Sequence, residues 1–229
     1  GGRFGGTLEN RMRFLLDTVR KIRSAVGNDF IVASRFNVYD AHPYPYGFGV
    51  GKEDLRELAT EEPIQLVREL VSAGADLLSN STGNPYFRNP HVTRPFDKPA
   101  VGGETPDEHP LESAARLMHL SEQVKHAAGS VPVVGSGYSW LRQFIPHVGA
   151  ANVERGRVSF VGLGRESFAY PDAPSDILSK GEMDPRKACT ACSMCTQLMR
   201  DHSRTGCVVR DAAVYAPMYR EARTRATAG

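Results

Sequence analysis

The sequence predicts an α/β fold in which short strands of a parallel sheet alternate with amphipathic helices. Two observations carry this. Apolar residues recur at helical spacing in several segments, and the strands between them are mostly apolar, as a parallel sheet covered by helices requires. In addition, the loops that follow the strands are polar or bear glycine, which places function at the strands' C-terminal ends. With 229 residues, of which 41% are hydrophobic, the chain can bury the core of one ordinary domain.

A first helix is expected over 7–25. Thr7 can cap it, Glu9 sits in its first turn, Met12, Leu15, Leu16, Val19 and Ile22 form the stripe, and Gly27 ends it. The run 30–36, FIVASRF, reads as a buried strand with Arg35 at its C-terminal end. A Pro-, Gly- and Tyr-rich loop over 37–52 precedes a second helix that starts at Thr60 and Pro63. Its stripe is Ile64, Val67, Leu70 and Val71, and Gly74 stops it. A short strand over 76–79 and an irregular stretch over 80–109 lead to a third helix over 111–128 and a strand over 131–134. A helical segment over 138–148 precedes the last strand, 158–163. Four strands do not close a barrel, so the pattern fits either a small doubly wound sheet or half of an eight-stranded barrel.

Charge and hydropathy narrow the function classes. The 28 basic and 26 acidic residues are interspersed, so neither nucleic acid nor an anionic membrane is an expected partner. The basic run 220–225 reads as a solvated helix face. No apolar stretch approaches the roughly 20 residues of a membrane span, and no secretory leader precedes the first helix, so a cytoplasmic location is expected. The chain opens on GGRFGG without an initiator Met and reads as a piece of something longer.

Two glycine-bearing turns stand at consecutive strand ends: Gly135-Ser136-Gly137-Tyr138 and Gly162-Leu163-Gly164-Arg165. Exposed backbone N–H groups there could cradle a phosphate, with Arg165 adding charge; the plainer reading is two tight βα turns. Arg35 fits a contact to an anionic cofactor edge, or an ion pair with a loop carboxylate. His42 and residues 44–48 form an expected lid or interface packing against the site. In the loop NSTGNPYFRNPHVTRPFD, Tyr86 and His91 are the available proton donors, and Arg88 and Arg94 the anion contacts. A histidine tied to the backbone is the plainer reading of His91.

The most specific signal is the cysteine set, Cys189, Cys192, Cys195 and Cys207, spaced C-x2-C-x2-C-x11-C and comprising every cysteine in the chain. Three thiols two residues apart can wrap one corner of a compact inorganic cluster, and the fourth can complete the four ligands of a [4Fe-4S] centre. Zinc is the first rival, although its ligands more often come as two separated C-x2-C pairs. Disulfides are disfavoured, because thiols two residues apart make strained partners and nothing marks the chain as secreted.

GGTLENRMRFLLDTVRKI, the strand bearing Arg35, the VPVVGSG turn, FVGLGRESFAYPDAP and the cysteines together resemble the C-terminal half of an Old Yellow Enzyme-like NADH:flavin oxidoreductase. The likeness is to the iron–sulfur branch, similar to 2,4-dienoyl-CoA reductase and trimethylamine dehydrogenase. It runs from Gly5 to about Arg210 and is most specific at GG-[ST]-x-ENR, at GR-x5-PD and at the cysteines.

The resemblance implies an FMN-binding (β/α)8 TIM barrel, of which residues 1–180 would be the fifth to eighth units and 181–229 the iron–sulfur segment and tail. Arg35 would contact the flavin's pyrimidine edge, and Gly135, Ser136, Gly137, Gly164 and Arg165 would hold the FMN phosphate. The four cysteines would ligate a [4Fe-4S] cluster that exchanges electrons with the flavin. The implied partners are a small-molecule substrate, NAD(P)H or another electron donor or acceptor, and a second copy in a homo-oligomer. The family's first four strands, with their substrate-binding residues and proton-donating tyrosine, are missing from the sequence. His91 and Tyr86 are therefore only secondary catalytic candidates. The activity implied is hydride transfer between nicotinamide, flavin and an unsaturated carbonyl-type substrate. The alternatives are oxidative N-demethylation and a non-catalytic electron-transfer module.

Overall fold

A computed structural model describes residues 2–83, 100 and 105–228. Four parallel strands, β1 (Ala33–Tyr39), β2 (Leu77–Thr82), β3 (Val133–Gly135) and β4 (Phe160–Val161), pair in the order β1-β2-β3-β4 without reversal. Helices α1 (Leu8–Val26), α2 (Glu61–Ser72), α3 (Pro110–Ala128) and α4 (Ile145–Glu154) alternate with them. A 3₁₀ segment, Tyr138–Phe144, leads into α4. The chain then continues through α5 (Arg165–Ala169), α6 (Ala173–Lys180), α7 (Met194–Arg200) and α8 (Ala212–Ala228).

The core lies on one face of the sheet. Phe36 and Val38 of β1, Leu78 of β2 and Val133 of β3 are buried with Met12, Leu16 and Val19 of α1, Leu66, Val67 and Leu70 of α2, and Leu120 and Val124 of α3. Each fully buried aliphatic side chain contributes about 1.5–3 kcal/mol, and this cluster anchors the sheet. The opposite face carries Ala33, Arg35, Ser79, Val134 and Phe160, which successive pairings align across the sheet. No helix among the described residues covers that side. Phe160 is 55% exposed and Arg35 is exposed.

The α1 terminus forms as predicted: Thr7 Oγ1 accepts from Asn10 N at 3.4 Å, and Gly27 closes the helix with a left-handed φ of 70°. The GG-[ST]-x-ENR motif is a self-closing junction. Asn10 Nδ2 donates to Gly5 O at 3.3 Å, and Arg11 Nε to Gly6 O at 3.1 Å, while Arg11 pairs with Glu62 of α2 at 2.6 Å.

The first strand is displaced from its expected limits by three residues. Phe30 and Ile31 are 65% and 71% exposed, and the ladder begins at Ala33. A side-chain clasp sets this start. Arg23 donates to Phe30 O at 2.9 Å and pairs with Asp76, whose carboxylate accepts Val32 N–H at 2.8 Å. Asn37 does not stop the strand, because its amide reaches Gly83 O at 2.9 Å beyond β2. Arg35 therefore sits within β1 rather than at its end. The helix expected over 138–148 is interrupted at Arg142 (φ 54°), which kinks the 3₁₀ segment two residues before its end. The basic run 220–225 lies on α8, where Arg220 and Arg225 are exposed as expected of a solvated face, whereas Arg223 turns inward to pair with Asp201 at 3.2 Å.

Candidate functional site

The uncovered face of the sheet opens into a cleft of about 300 Å³. Arg35, Ser79 and Ser81 supply its polar floor, Val134 an apolar strip, and the turns 135–137 and 162–165 its rim. Arg35, Gly135, Ser136, Gly137, Gly164 and Arg165, separated by up to 130 positions in the chain, all line this one cleft. The two turns are joined directly, since Gly162 N donates to Gly135 O at 2.8 Å, and Ser136 Oγ ties the first turn to β2 by donating to Asn80 O at 2.9 Å. Gly137 has a left-handed φ of 93°. A Cβ there would lie 2.7 Å from Leu117 Cδ1, so the turn approaches α3 as only glycine allows. The loop around His42 and 44–48 lines none of the cleft among the described residues. Its ordering contacts lie elsewhere, including Phe48 under the Arg11 guanidinium. Tyr86, His91, Arg88 and Arg94 lie outside the described residues.

The cysteine segment is tied to the residue that follows the second turn, where Glu166 accepts the Cys189 N–H. Arg165 is close enough for its charge to act on Cys189 and Cys195 as well as on Glu166. Burial pushes the Cys189 thiol up to about 11, against the opposing pull of the Ala191 N–H and Arg165; burial also raises Cys195. A metal at these thiols must therefore displace their protons.

Two of the thiols already accept hydrogen bonds: Ala191 N donates to Cys189 Sγ at 3.3 Å, and Arg210 N donates to Cys207 Sγ at 3.3 Å. Ala191 and Ser193 take left-handed φ values of 52° and 60° between the cysteines. Such alternation turns successive N–H groups inward, forming the concave backbone common at iron–sulfur sites. Four thiols, N–H···S bonds and a nest-like backbone are a donor set that fits a thiolate-bound cluster. Among the described residues, no three His, Cys, Asp or Glu side chains converge tightly enough to hold a single metal ion.

Sequence reasoning missed Glu166, Ser79 and Ser81. Glu166 is fully buried, and both carboxylate oxygens accept Cys189 N–H, at 3.2 and 3.1 Å. Burial raises its pKa, while the Cys189 N–H, Arg210 and Arg165 pull it down. Within GR-x5-PD it occupies an unspecified position, so only its unusual burial reveals it. The serines had no signal in the sequence either: Ser79 to Thr82 of LLSNST are all polar, and only the burial pattern, with Asn80 and Thr82 buried and the serines half-buried, tells the two faces apart.

Fold and cleft define an α/β protein whose polar, cation-bearing cleft lies at the C-terminal ends of parallel strands. Residues 2–49 match the NADH:flavin oxidoreductase / NADH oxidase family. The chain is 28% identical over 192 residues to NADH oxidase from Thermoanaerobacter brockii, covering 84% of this chain and 24% of that protein. It is 23% identical to cinnamate reductase from Clostridium sporogenes, covering 91% and 29% of the two chains. To dimethylamine dehydrogenase from a Hyphomicrobium species it is 29% identical, covering 84% and 22%. In three dimensions it resembles the 6-hydroxypseudooxynicotine amine oxidase from Pseudomonas geniculata, with a TM-score of 0.64 and 24% identity over 90% of this chain and 26% of that one. The likeness to NADH:flavin oxidoreductases drawn from the motifs therefore holds, and the relatives named are oxidoreductases. The chain spans about a quarter of the length of the curated relatives it matches. No helix among the described residues is long and apolar enough to cross a membrane.

Proposed function

We propose that this chain is the flavin-phosphate-holding and cluster-bearing part of an FMN- and [4Fe-4S]-dependent NAD(P)H oxidoreductase. The observation that carries the reading is convergence. Arg35 and both glycine turns face one cleft, and Glu166, next to Arg165 on its rim, accepts the Cys189 N–H. Residues 1–180 form, on this reading, the fifth to eighth units of a (β/α)8 barrel. Its support is a strand order that follows the chain and a core confined to one face, whereas a doubly wound sheet would reverse order and be covered on both. Residues 181–229 form the cluster segment, with a small core of Leu198, Val208 and Ala222.

Bound FMN would pass hydride from a nicotinamide to an unsaturated carbonyl-type substrate, and a bound cluster would carry single electrons. The chain's own residues do the holding. The turn amides and Arg165 bind a phosphate, Arg35 supplies a permanent cation for negative charge on the ring, and His91 or Tyr86 is the proton donor available in this part. The four thiols bind iron through the donor set described above.

The relative named dimethylamine dehydrogenase favours a second reading of the substrate, oxidative removal of an N-methyl group. Anaerobic reconstitution of the intact protein tests the proposal: iron and acid-labile sulfide in equal amounts, together with flavin absorbance, are expected. Cys192→Ser should lose the iron, because a hydroxyl is a poorer ligand than a thiolate. Stoichiometric zinc without sulfide would refute the cluster. A cluster without flavin would identify an electron-transfer module instead.

A further inference from the structure

The peptide bond that delivers the first cysteine is held at both ends by opposite charges. Its N–H, from Cys189, donates to both oxygens of Glu166 at 3.2 and 3.1 Å. Its carbonyl, from Ala188, accepts from Arg210 Nε at 3.0 Å and Nη2 at 2.7 Å. Ala188 and Glu166 are fully buried, and Cys189 is nearly so. Each holder has a second attachment. Glu166 follows Arg165 on the phosphate-facing turn, and its own N–H meets Ser139 Oγ at 3.4 Å on the cleft wall. Arg210 donates its backbone N–H to Cys207 Sγ at 3.3 Å. The clamp thus joins the cleft rim, the first thiol and the last thiol through one peptide.

We propose that Glu166 and Arg210 are a pair of positioning residues that orient Cys189 against the cleft rim and set opposing charges beside the thiol-bound centre. A backbone carbonyl or a hydroxyl would serve if tethering were the only need. A buried carboxylate opposed by a guanidinium makes two charge-assisted contacts and places a fixed dipole across the peptide. The potential of a thiolate-bound cluster responds to nearby charge and hydrogen bonding. Deleting the acid should therefore shift it one way, and deleting the base the other. This inference rests on the reading that the four thiols hold an iron–sulfur cluster.

The test uses the intact, iron-loaded protein with Glu166→Gln, Arg210→Gln and the double variant. Each substitution removes the charge and can keep one of the two hydrogen bonds that the native side chain makes to the peptide. The expected result is unchanged iron and sulfide content. In EPR-monitored redox titration the potential should rise in Glu166→Gln, fall in Arg210→Gln and return towards wild type in the double variant. A merely structural role would not produce shifts of opposite sign, and shifts of equal sign, or none, would overturn the proposal. Glu166→Ala, which removes the acceptor, is followed by hydrogen exchange on metal-free protein. The Cys189 amide should exchange about tenfold faster or more, with Glu166→Gln restoring protection. If wild type takes up neither iron nor sulfide, the cluster reading fails on its own. The clamp is then decided by exchange: unchanged protection in Glu166→Ala overturns it, and lost protection supports it.

Discussion

Gly137 and Gly164 both rim the cleft, yet a methyl group should be tolerated at only one of them. At Gly137 the backbone is left-handed, with φ 93°, and an added Cβ would sit 2.7 Å from Leu117 Cδ1 and 3.1 Å from Leu117 Cβ. Leu117 is 2% exposed within α3 and has nowhere to swing. Left-handed backbone costs an L-residue about 1–2 kcal/mol, and overpacking a filled site about 1–3 kcal/mol. Loss of glycine's unfolded-state freedom returns about 0.4–1 kcal/mol. Gly137→Ala should therefore destabilise by about 2–4 kcal/mol, which at a urea m-value near 2 kcal/mol/M lowers the midpoint by about 1–2 M. At Gly164 nothing lies within 4 Å of the added Cβ and φ is −84°. Gly164→Ala should then stay within about 0.5 kcal/mol of wild type. Urea unfolding of both variants decides the matter. Equal midpoints would show that the close approach to α3 does not shape the turn. Because both variants keep every N–H, a weaker FMN titration of Gly137→Ala alone would trace binding to the turn's shape.

Arg35→Ala should weaken FMN binding to the intact protein by about 10–100-fold, the worth of one charge-assisted contact, and lower the flavin's reduction potential; Arg35→Lys should recover charge but not the planar contact. Unchanged affinity in a folded Ala variant would return Arg35 to a structural role. Asp176, 14% exposed, is held well below the usual carboxylate range by Lys180 first, then by Tyr170 and Lys187. A depressed native pKa contributes stability that is complete above the unfolded carboxylate's value of about 3.9 and is lost as pH falls below it. Asp176→Asn should consequently narrow the stability difference between neutral and strongly acidic pH, and parallel wild-type and variant curves would count against it. Expressed alone, the 229-residue chain should self-associate and fail to retain FMN, since Ile31 and Phe160 are exposed and, among the described residues, β1 and β4 each have a single strand partner. Sedimentation showing a monomer with stoichiometric flavin would contradict that.

The amino-acid sequence by itself determined the elements whose causes are local. Thr7 and Gly27 bound α1, Gly74 ends the turn after α2, and alternating apolar segments dictate parallel strands, because caps, left-handed glycines and periodicity act within a few residues. The spacing of the cysteines and the two glycine turns were legible for the same reason. Tertiary structure alone decided what depends on partners distant in the chain. The start of β1 moved because Arg23 and Asp76 capture the backbone at Phe30 and Val32. The inward side of the strands was decided in the same way. Val133 lies fully buried under the helices and Val134 lines the cleft, a choice of parity that the mostly apolar run 131–134 leaves open. Glu166 was unreadable because a carboxylate in a loop motif looks solvated. Only the fold shows it buried, with its oxygens on the Cys189 amide, where the cost of desolvating a charge demands a partner 23 residues away.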